Sequence, residues 1–324
     1  ISEATRCAPT ARLKLWVGRG ALPTPRSSTE YRQRLKTALE TARERWSRNP
    51  DEKAEAILDE LPVSVRQVVG GETTCIEVQE GDTQLIIDLG TGARRLGYDM
   101  MARGAKGDVH ILITHTHWDH IQGWPFFIPG FIPGNTVHFY SSIKNCHERF
   151  VRQQHFDHFP IEFDQMLSTK EFHAYEAGET FSIGPFEVST LALAHPGGSV
   201  AYRIRADEKT FVFASDTEYF GADLDEQIEK HRPFFEGADL LIMDAQYSEE
   251  EASQKAGWGH TAMRTAVDCA LRWNVKELLL THHEPAYHDD QIRDLFAQAQ
   301  GYLKEIGKTT LKVDLAVEDA QYDL

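Results

Sequence analysis

Four side chains able to bind metal ions follow a single apolar run of this sequence. They lie in the stretch HILITHTHWDHIQG, residues 110–123, as His115, His117, Asp119 and His120. Because side chains alternate along an extended backbone, His115 and His117 can point to the same side. Asp119 and His120 follow where a turn can begin. One stretch can therefore supply two ligands to each of two metal ions, a density that argues against isolated, hydrogen-bonded core histidines.

Three other apolar runs end in the same kind of residue. STLALAHPGG places His195 after such a run, TFVFASDTEY does so for Asp216, and ELLLTHHEP ends with His282 and His283. Each of these residues alone could be a cap or a solvated side chain. One arrangement is repeated, however, in which an apolar strand is followed by a metal-binding side chain. This repetition favours them as further ligands.

The strands that must position these residues are visible in the hydrophobic pattern. VHILIT, residues 109–114, is a continuous apolar run of the length expected for a buried strand. TCIEV and QLIID alternate across a turn at Gly81 and Asp82, and GTG at 90–92 is expected to close a strand-to-helix turn. Further elements are predicted as strands near 136–140, 179–193, 199–205, 209–214, 239–243, 275–281 and 309–313, and as helices near 144–153, 223–230, 261–274 and 289–305. This order predicts two packed sheets with helices outside.

Residues 28–62 interrupt the strand pattern. They follow a first strand candidate at 13–17 and carry apolar side chains at helical spacing, among them Tyr31, Leu35, Leu39 and Trp46. The Asn-Pro pair at 49–50 breaks this spacing, so we predict a helical hairpin inserted into a single domain spanning 1–324. Its amphipathic face is expected either to cover the cleft or to form the contact of a homodimer.

Composition narrows the classes of partner and compartment. The formal net charge of −16 disfavours an extended nucleic-acid surface, because such binding depends on clustered Lys and Arg. No apolar run approaches the ~20 residues that a membrane span needs, so no membrane partner is expected. The cysteines are widely separated and include no CxxC pair: Cys7, Cys75, Cys146 and Cys269. This usage predicts a reducing, cytoplasmic compartment without disulfides or a thiolate metal site.

The order of these segments resembles the metallo-β-lactamase superfamily. The resemblance rests on HTHWDH followed by His195, Asp216 and His282. Within the superfamily, GGETTCIEV, IIDLGTGARRLG, HPGGSVAYRI, SDTEY, GWGHTA and LTHHEP are similar to one branch. That branch contains phosphoribosyl cyclic-phosphate phosphodiesterase, cyclic-nucleotide phosphodiesterases and the tRNA 3′-end endonuclease. The resemblance implies an α+β fold, built as a four-layer αββα sandwich.

The resemblance also implies a ligand set for two divalent ions. One ion would be held by His115, His117 and His195, the other by Asp119, His120 and His282, with Asp216 bridging them. Nitrogen and oxygen donors suit Zn²⁺, which we expect, and also Mn²⁺ or iron. Two ions ~3.5–4 Å apart can hold a bridging hydroxide, which Asp119 and Asp216 would orient. His283 is placed outside this set, where it could orient a ligand or contact substrate.

A further candidate is His260, in the segment GWGHTA. It is expected directly before the helix at 261–274, with Thr261 as the N-cap. Because a helix N-terminus attracts anions, His260 is predicted to clamp the phosphoryl group or to protonate the leaving oxygen. The alternative is that it only caps the helix. The aromatic stretch 155–166, with His155 and His158, either lines the cleft or packs as a loop.

The leading functional hypothesis is a dinuclear metal-dependent phosphodiesterase acting on a small, cyclic phosphodiester. A tRNA 3′-end endonuclease is the first alternative, but the net charge disfavours it and the segment WPFFIPGFIPG after His120 is apolar instead of basic. A thioester hydrolase of the glyoxalase II type shares HTHxDH but not GHTA. An iron-dependent, oxygen-using enzyme of this fold is a further alternative. The flavo-diiron proteins among these enzymes typically carry Glu where this chain has Thr116, which disfavours that group.

Overall fold

A computed structural model describes residues 11–323 of the chain, so Cys7 lies outside the described residues. The strands are β1 (Arg12–Leu15), β2 (Ile76–Glu80), β3 (Thr83–Ile87), β4 (Asp108–Leu112), β5 (Thr136–Ser141), β6 (Thr169–Ala174), β7 (Thr180–Ile183), β8 (Phe186–Leu193), β9 (Ser199–Ala206), β10 (Lys209–Ala214), β11 (Leu240–Asp244), β12 (Glu277–Thr281), β13 (Lys312–Leu315) and β14 (Gln321–Asp323). The helices are α1 (Ser28–Arg48), α2 (Ala54–Glu60), α3 (Val63–Arg66), α4 (Gly92–Ala102), α5 (Trp118–Ile121), α6 (Cys146–Gln153), α7 (Leu224–Phe235), α8 (Glu249–Gln254), α9 (Met263–Arg272) and α10 (Asp289–Ile306).

These strands form two seven-stranded sheets. Their orders are β14-β1-β2-β3-β4-β5-β6 and β13-β12-β11-β10-β9-β8-β7. An apolar core fills the space between the sheets, and each sheet has a second core on its other face, beneath α4 and α6 or beneath α7, α9 and α10. The predicted α+β, four-layer αββα arrangement is therefore confirmed.

Strand direction brings the candidate residues to one edge of both sheets. In the first sheet β3, β4, β5 and β6 are parallel. In the second sheet, β10, β11 and β12 are parallel to one another. β8 runs in the same direction, because β8 and β10 are each antiparallel to β9, which lies between them. The carboxyl ends of parallel strands lie at the same edge of a sheet, which is where open α/β sheets bind ligands. The ends of β4, β8, β10 and β12 lead to His115, His195, Asp216 and His282 respectively.

Several elements differ from the sequence-based predictions. The strand predicted at 179–193 is two strands, because the chain turns at Gly184, whose φ is +54°. β6 and β14 were not predicted: both are polar edge strands that alternate between exposed and half-buried residues, so neither shows a strong apolar period. The helix predicted at 261–274 begins at Met263.

Several remaining sequence features have direct structural outcomes. Cys75, Cys146 and Cys269 are buried free thiols. None of the helices in the described residues combines the length and apolarity that crossing a bilayer requires.

The inserted helices α1 and α2 contact each other across the turn at 49–53, and no residue of 28–62 lines the cleft described below. The apolar side chains of Tyr31, Leu35 and Leu39 on α1 remain exposed, so the homodimer contact stays a prediction.

One buried carboxylate attaches the inserted helices to the sandwich. Asp289, at the start of α10, pairs with Arg19 at 2.9 Å and with Arg34 of α1 at 3.4 Å, and it also pairs with Arg26. The backbone N–H of Val69 donates to the same carboxylate at 2.8 Å. Arg19 and Asp289 are each 4% exposed, so neither charge has much access to water.

We therefore expect Asp289→Ala to lower the free energy of unfolding by ~3–5 kcal/mol, because it leaves the Arg19 charge buried without its partner. Urea denaturation measures the change. The adjacent Asp290 is exposed, and Asp290→Ala is the matched control with an expected loss below ~1 kcal/mol. Equal stabilities of the two variants would show that the arginines find other partners.

Candidate metal centre

Sharp turns after the strands direct the candidate ligands into one place. Asp216 and His282 have φ values of +53° and +62°, in the left-handed region that non-glycine residues rarely adopt. Asp88, which follows β3, has a φ of +58°. Such backbone strain persists where the surrounding structure enforces it, and it is concentrated at functional sites. Here it lets side chains from strand ends of both sheets meet.

The first group of side chains consists of three histidines. His117 Nδ1 lies 3.0 Å from His115 Nε2 and 3.0 Å from His195 Nε2. The other ring nitrogen of His115 is 3.1 Å from Thr114 Oγ1, and that of His195 is 2.9 Å from the carbonyl oxygen of Gly259. Three ring nitrogens therefore converge, and outer contacts of two of the rings fix their orientation.

The second group consists of Asp119, His120 and His282. Asp119 Oδ2 is 3.3 Å from His120 Nε2 and 3.1 Å from His282 Nε2. Asp119 Oδ2 also accepts a 2.8 Å hydrogen bond from the backbone N–H of Ala21. His120 is fully buried, and its Nε2 makes no hydrogen bond of normal geometry. A buried ring nitrogen of this kind needs a further partner, and its lone pair can bind a cation when the nitrogen carries no proton.

Asp216 lies between the two groups. Its Oδ1 is 3.6 Å from His115 Nε2 and 3.8 Å from His195 Nε2, both in the first group. The same oxygen is 3.2 Å from His282 Nε2, and Oδ2 is 3.0 Å from His120 Nε2. Asp216 thus contacts both groups, as a bridging ligand must.

The electrostatics of the two groups differ. Burial lowers the pKa of His117 and His195, and lowers that of His115 well below its usual range. These rings are therefore neutral at neutral pH, which is the form that binds metal. Burial opposes protonation of His120 as well, but the charges of Asp216 and Asp119 outweigh it and raise the pKa of His120 well above its usual value.

The carboxylates in this arrangement stay ionised. Burial would raise the pKa of Asp216, but the neighbouring His120, His282 and His115 lower it well below its usual value. His282 is affected in the opposite sense: burial lowers its pKa, whereas Asp216 and the hydrogen bond to Asp119 raise it, to about 10. Protons on His120 and His282 thus neutralise the carboxylates, and a divalent cation can replace them.

The donors fit two divalent ions of the Zn²⁺ type. Each group offers ligand atoms within 4.8 Å of one another, and all of these atoms are imidazole nitrogens or carboxylate oxygens. Buried charges and unpaired ring nitrogens are costly unless paired or bound to metal. Sequence reasoning named all seven of these residues, and the structure brings all seven together.

Outer partners of the ligands were missed by sequence reasoning. Asp88 Oδ2 lies 2.7 Å from His120 Nδ1, and the Asp88 carboxylate also accepts hydrogen bonds from the backbone N–H and the hydroxyl of Thr114 at 2.8 and 2.7 Å. Gln246 Oε1 lies 3.0 Å from His282 Nδ1. Asp88 ends the predicted strand QLIID, and this position at a strand end is the one sequence signal that could have indicated it.

We expect Asp88→Asn to weaken the affinity for one of the two ions by ~10–100-fold, because His120 loses the carboxylate that orients its ring. Titration against a metal chelator would show two unequal affinities, with the first group unaffected. Asp82→Asn, in the exposed turn between β2 and β3, is the control. Unchanged affinities for both ions would contradict an orienting role of Asp88.

His260 lies beside this cluster without belonging to either triad. Its Nδ1 is 2.7 Å from Asp244 Oδ2 at the end of β11, and its ring stacks on His282 at a centroid distance of 4.8 Å. The Asp244 carboxylate is fully buried and accepts hydrogen bonds from the backbone N–H groups of Gln246 and Thr261. Asp244 therefore fixes the ring of His260 and leaves Nε2 as its free nitrogen. Asp244 is another residue that sequence reasoning missed.

The expected helix cap next to His260 is wrong. Ala262 occupies the N-cap position of α9. Thr261 instead donates its hydroxyl to the carbonyl oxygen of Thr217 at 2.6 Å and accepts from the backbone N–H of Tyr219. His260 is held by Asp244 and not by the helix terminus. Gly259 precedes it because a Cβ there would lie 2.3 Å from the His195 ring.

His283 does not have the exposure that a substrate contact needs. Its side chain is fully buried, and neither ring nitrogen makes a hydrogen bond of normal geometry. Burial, followed by the charge of Arg19, lowers its pKa to about 3, so the ring is neutral. The expectation that His283 could contact substrate is therefore wrong. Within residues 11–323, its ring makes no hydrogen bond through which it could orient one of the candidate ligands.

A cleft of about 430 Å³ opens onto the cluster. It is lined by Ala21, Thr116, His117, Trp118, Asp119, Asp216, His260 and His282. The loop before α1 contributes Ala21 to this lining. The loop can approach so closely because the adjacent Gly20 has no Cβ; a Cβ there would lie 2.3 Å from the His282 ring. Members of both groups, together with Asp216 and His260, thus line one solvent-accessible space.

Comparison with known proteins identifies the family and the fold. Residues 85–283 match a family model described as a beta-lactamase superfamily domain. Ribonuclease Z of Exiguobacterium sibiricum is 27% identical over 243 residues, which cover 60% of this chain and 77% of that protein. The probable metallo-hydrolase YhfI of Bacillus subtilis is 27% identical over 216 residues, covering 63% of this chain and 77% of YhfI.

Solved structures share the architecture. The crystal structure of YhfI superposes with a TM-score of 0.64 at 18% identity and covers 97% of this chain and 99% of its own. The human short-form tRNase Z superposes with a TM-score of 0.57 at 16% identity, covering 96% and 98% of the two chains. At these identities the likeness concerns the fold.

Proposed function

We propose that the protein is a dinuclear phosphodiesterase that cleaves small, cyclic phosphodiesters. The premise of this proposal is that the chain belongs to the metallo-β-lactamase superfamily of metal-dependent hydrolases. The observation that carries this proposal is the position of Asp216, whose two carboxylate oxygens face the His115 group and the His120 group at 3.0–3.8 Å. A carboxylate in this position can contribute one oxygen to each of two ions.

The ligand assignment follows from the two groups. His115, His117 and His195 would hold one ion, and Asp119, His120 and His282 the other, with Asp216 between them. When bound, two such ions supply an activated water nucleophile and polarise a phosphoryl oxygen. The donor set favours Zn²⁺ and is compatible with Mn²⁺ and iron.

The remaining chemistry belongs to His260. Cleavage of a phosphodiester leaves an alkoxide that needs a proton, and a positioned histidine can supply it. Asp244 accepts from His260 Nδ1, which leaves Nε2 to carry the transferable proton towards the cleft. Asp119, held by Ala21 N–H, and Asp216 would orient the attacking water in addition to binding the ions.

A small substrate is supported by the shape and charge of the molecule. The cleft at the candidate metal centre, of about 430 Å³, lies at the lower end of the size range of small-molecule sites, which suits a phosphodiester and its sugar. The net charge of −16 opposes the approach of a polyanion. A tRNA 3′-end endonuclease is the second candidate, because relatives such as the one from Exiguobacterium sibiricum are named ribonuclease Z.

A substrate screen tests the proposal. Metal-reconstituted protein would be assayed with cyclic nucleotides, a phosphoribosyl cyclic phosphate, bis(p-nitrophenyl) phosphate, an acylglutathione and a tRNA precursor. We expect the highest kcat/KM for one of the small cyclic phosphodiesters. A higher value for the tRNA precursor would favour the endonuclease, and turnover of the acylglutathione alone would exclude a phosphodiesterase.

A further inference from the structure

A second, larger cavity adjoins the cleft of the metal centre. Its volume is about 1010 Å³, and it shares Thr116, His117 and Trp118 with the cleft. Its other walls come from the segment after α5 and from α6 with the aromatic loop that follows it. A ligand whose phosphodiester lies at the metal centre can therefore extend past His117 into this space.

Basic side chains line part of the cavity. They are Arg149, Arg152, His155 and His158, and none of the residues that line the cavity is acidic. The Arg152 side chain makes no hydrogen bond or ion pair within residues 11–323. Asp157 lies 3.3 Å from His155 Nδ1, so that ring has a carboxylate neighbour. In a chain of net charge −16, an unpaired arginine beside the reaction site points to an anionic ligand.

Arg149 connects these basic residues to the loop that carries His115 and His117. It donates to Thr116 Oγ1 at 2.7 Å and to Asn145 Oδ1 at 3.0 Å. Thr116 lies between His115 and His117, so Arg149 is held in a fixed position relative to the first triad. An anion bound at Arg149 would therefore stand at a defined distance from the scissile bond.

Aromatic side chains also line this cavity. Trp118 is 75% exposed and Phe126 is 53% exposed, which is unusual for such large apolar residues. Phe126 and the half-buried Phe159 meet edge to face at 5.3 Å. Exposed rings next to cations are the usual means of binding a nucleotide, because the rings stack on the base and the cations pair with phosphate.

We propose that this cavity is a nucleotide subsite, and that the substrate is a nucleoside cyclic phosphodiester carrying an additional terminal phosphate. This inference rests on the proposed function. The base would stack against Phe126 and Trp118, and the terminal phosphate would pair with Arg152 and Arg149. The subsite thus selects among the small phosphodiesters that the metal centre can cleave.

A matched pair of substrates tests the phosphate contact. Adenosine 2′,3′-cyclic phosphate would be compared with the same compound carrying a 5′-phosphate, and bis(p-nitrophenyl) phosphate serves as a reference. We expect a kcat/KM ratio of ~10–100 in favour of the phosphorylated compound, the range for one or two charge-assisted hydrogen bonds. Arg152→Gln should reduce this ratio by ~10-fold or more.

Two variants separate the contributions. Arg32→Gln, at an exposed arginine of α1 without side-chain partners in the described residues, is the control and should leave the ratio unchanged. Phe126→Leu should lower kcat/KM for both adenosine compounds by ~5-fold or more, since base stacking is lost, and should leave their ratio near that of the wild type.

The outcomes distinguish this inference from the proposed function. Hydrolysis of bis(p-nitrophenyl) phosphate without any preference for the 5′-phosphate, in the wild type and in Arg152→Gln alike, would overturn the subsite and leave the phosphodiesterase standing. No hydrolysis of any phosphodiester by metal-loaded protein would overturn the proposed function itself. A loss on Arg152→Gln that is confined to a tRNA precursor would show that the cavity receives an RNA terminus and not a small nucleotide.

Discussion

Asp216→Ala abolishes turnover and lowers the metal content of the protein, if the two ions are held as the geometry indicates. We expect a loss of kcat well above the ~10–100-fold that is typical when only an outer partner of a ligand is removed. The reason is that the Asp216 carboxylate contacts both histidine groups, through Oδ1 at 3.6 Å to His115 and Oδ2 at 3.0 Å to His120. Its removal separates the two halves of the site.

Elemental analysis and steady-state kinetics on the same preparation measure both effects. Asp59→Ala, at an exposed aspartate of α2 without a side-chain partner in the described residues, is the matched control and should retain both ions. Circular dichroism would show whether the fold persists, as we expect, because the apolar cores are built from other side chains. One tightly held ion in a fully active wild-type enzyme would disprove the dinuclear assignment.

His260→Ala is expected to keep the metals and the fold but to lower kcat by ~10²–10⁴-fold, the usual range for lost acid–base help. The structure places this ring at the cleft, with Nδ1 2.7 Å from the buried Asp244. The loss should depend on the leaving group. Since p-nitrophenolate departs without much protonation, the defect on bis(p-nitrophenyl) phosphate should be smaller than on a cyclic nucleotide.

Asp244→Asn provides a second test of the same assignment. The substitution keeps the shape of the side chain but removes the charge that fixes the His260 ring. We therefore expect a smaller loss of kcat than in His260→Ala, which is again larger for a cyclic nucleotide than for bis(p-nitrophenyl) phosphate. Metal content must be measured for both variants, because His260 stacks on His282. The matched control is His288→Ala, a histidine whose side chain is 78% exposed.

Equal losses on both substrates would indicate that His260 acts as an electrostatic clamp, since both substrates carry the same phosphodiester charge. Full activity of His260→Ala on every phosphodiester would remove it from the mechanism altogether. The proton donor would then have to be sought elsewhere in the cleft, and not at the buried His283.

The sequence by itself determined which residues are candidate ligands, because their positions follow from a local pattern. An apolar run that stops at His115, His195, Asp216 or His282 marks a strand end, and strand ends of parallel sheets share an edge. The resemblance then divided these residues between two ions. Helix and strand positions followed from periodicity wherever one face is buried, and this signal failed at the half-exposed β6.

The tertiary structure alone decided which groups support the ligands. Asp88 reaches His120 across 32 positions and Asp244 reaches His260 across 16, and no periodicity encodes a pairing between separate strand ends. The neighbouring residues predict Thr261 as a helix cap, but in the folded protein its hydroxyl donates a hydrogen bond to the carbonyl oxygen of Thr217. Arg149 and Arg152 lie on a predicted helix, yet their approach to His117 depends on how α6 packs beside the loop that carries His115 and His117. Local sequence sets which residues end each element, whereas the packing of elements distant in sequence sets what those residues meet.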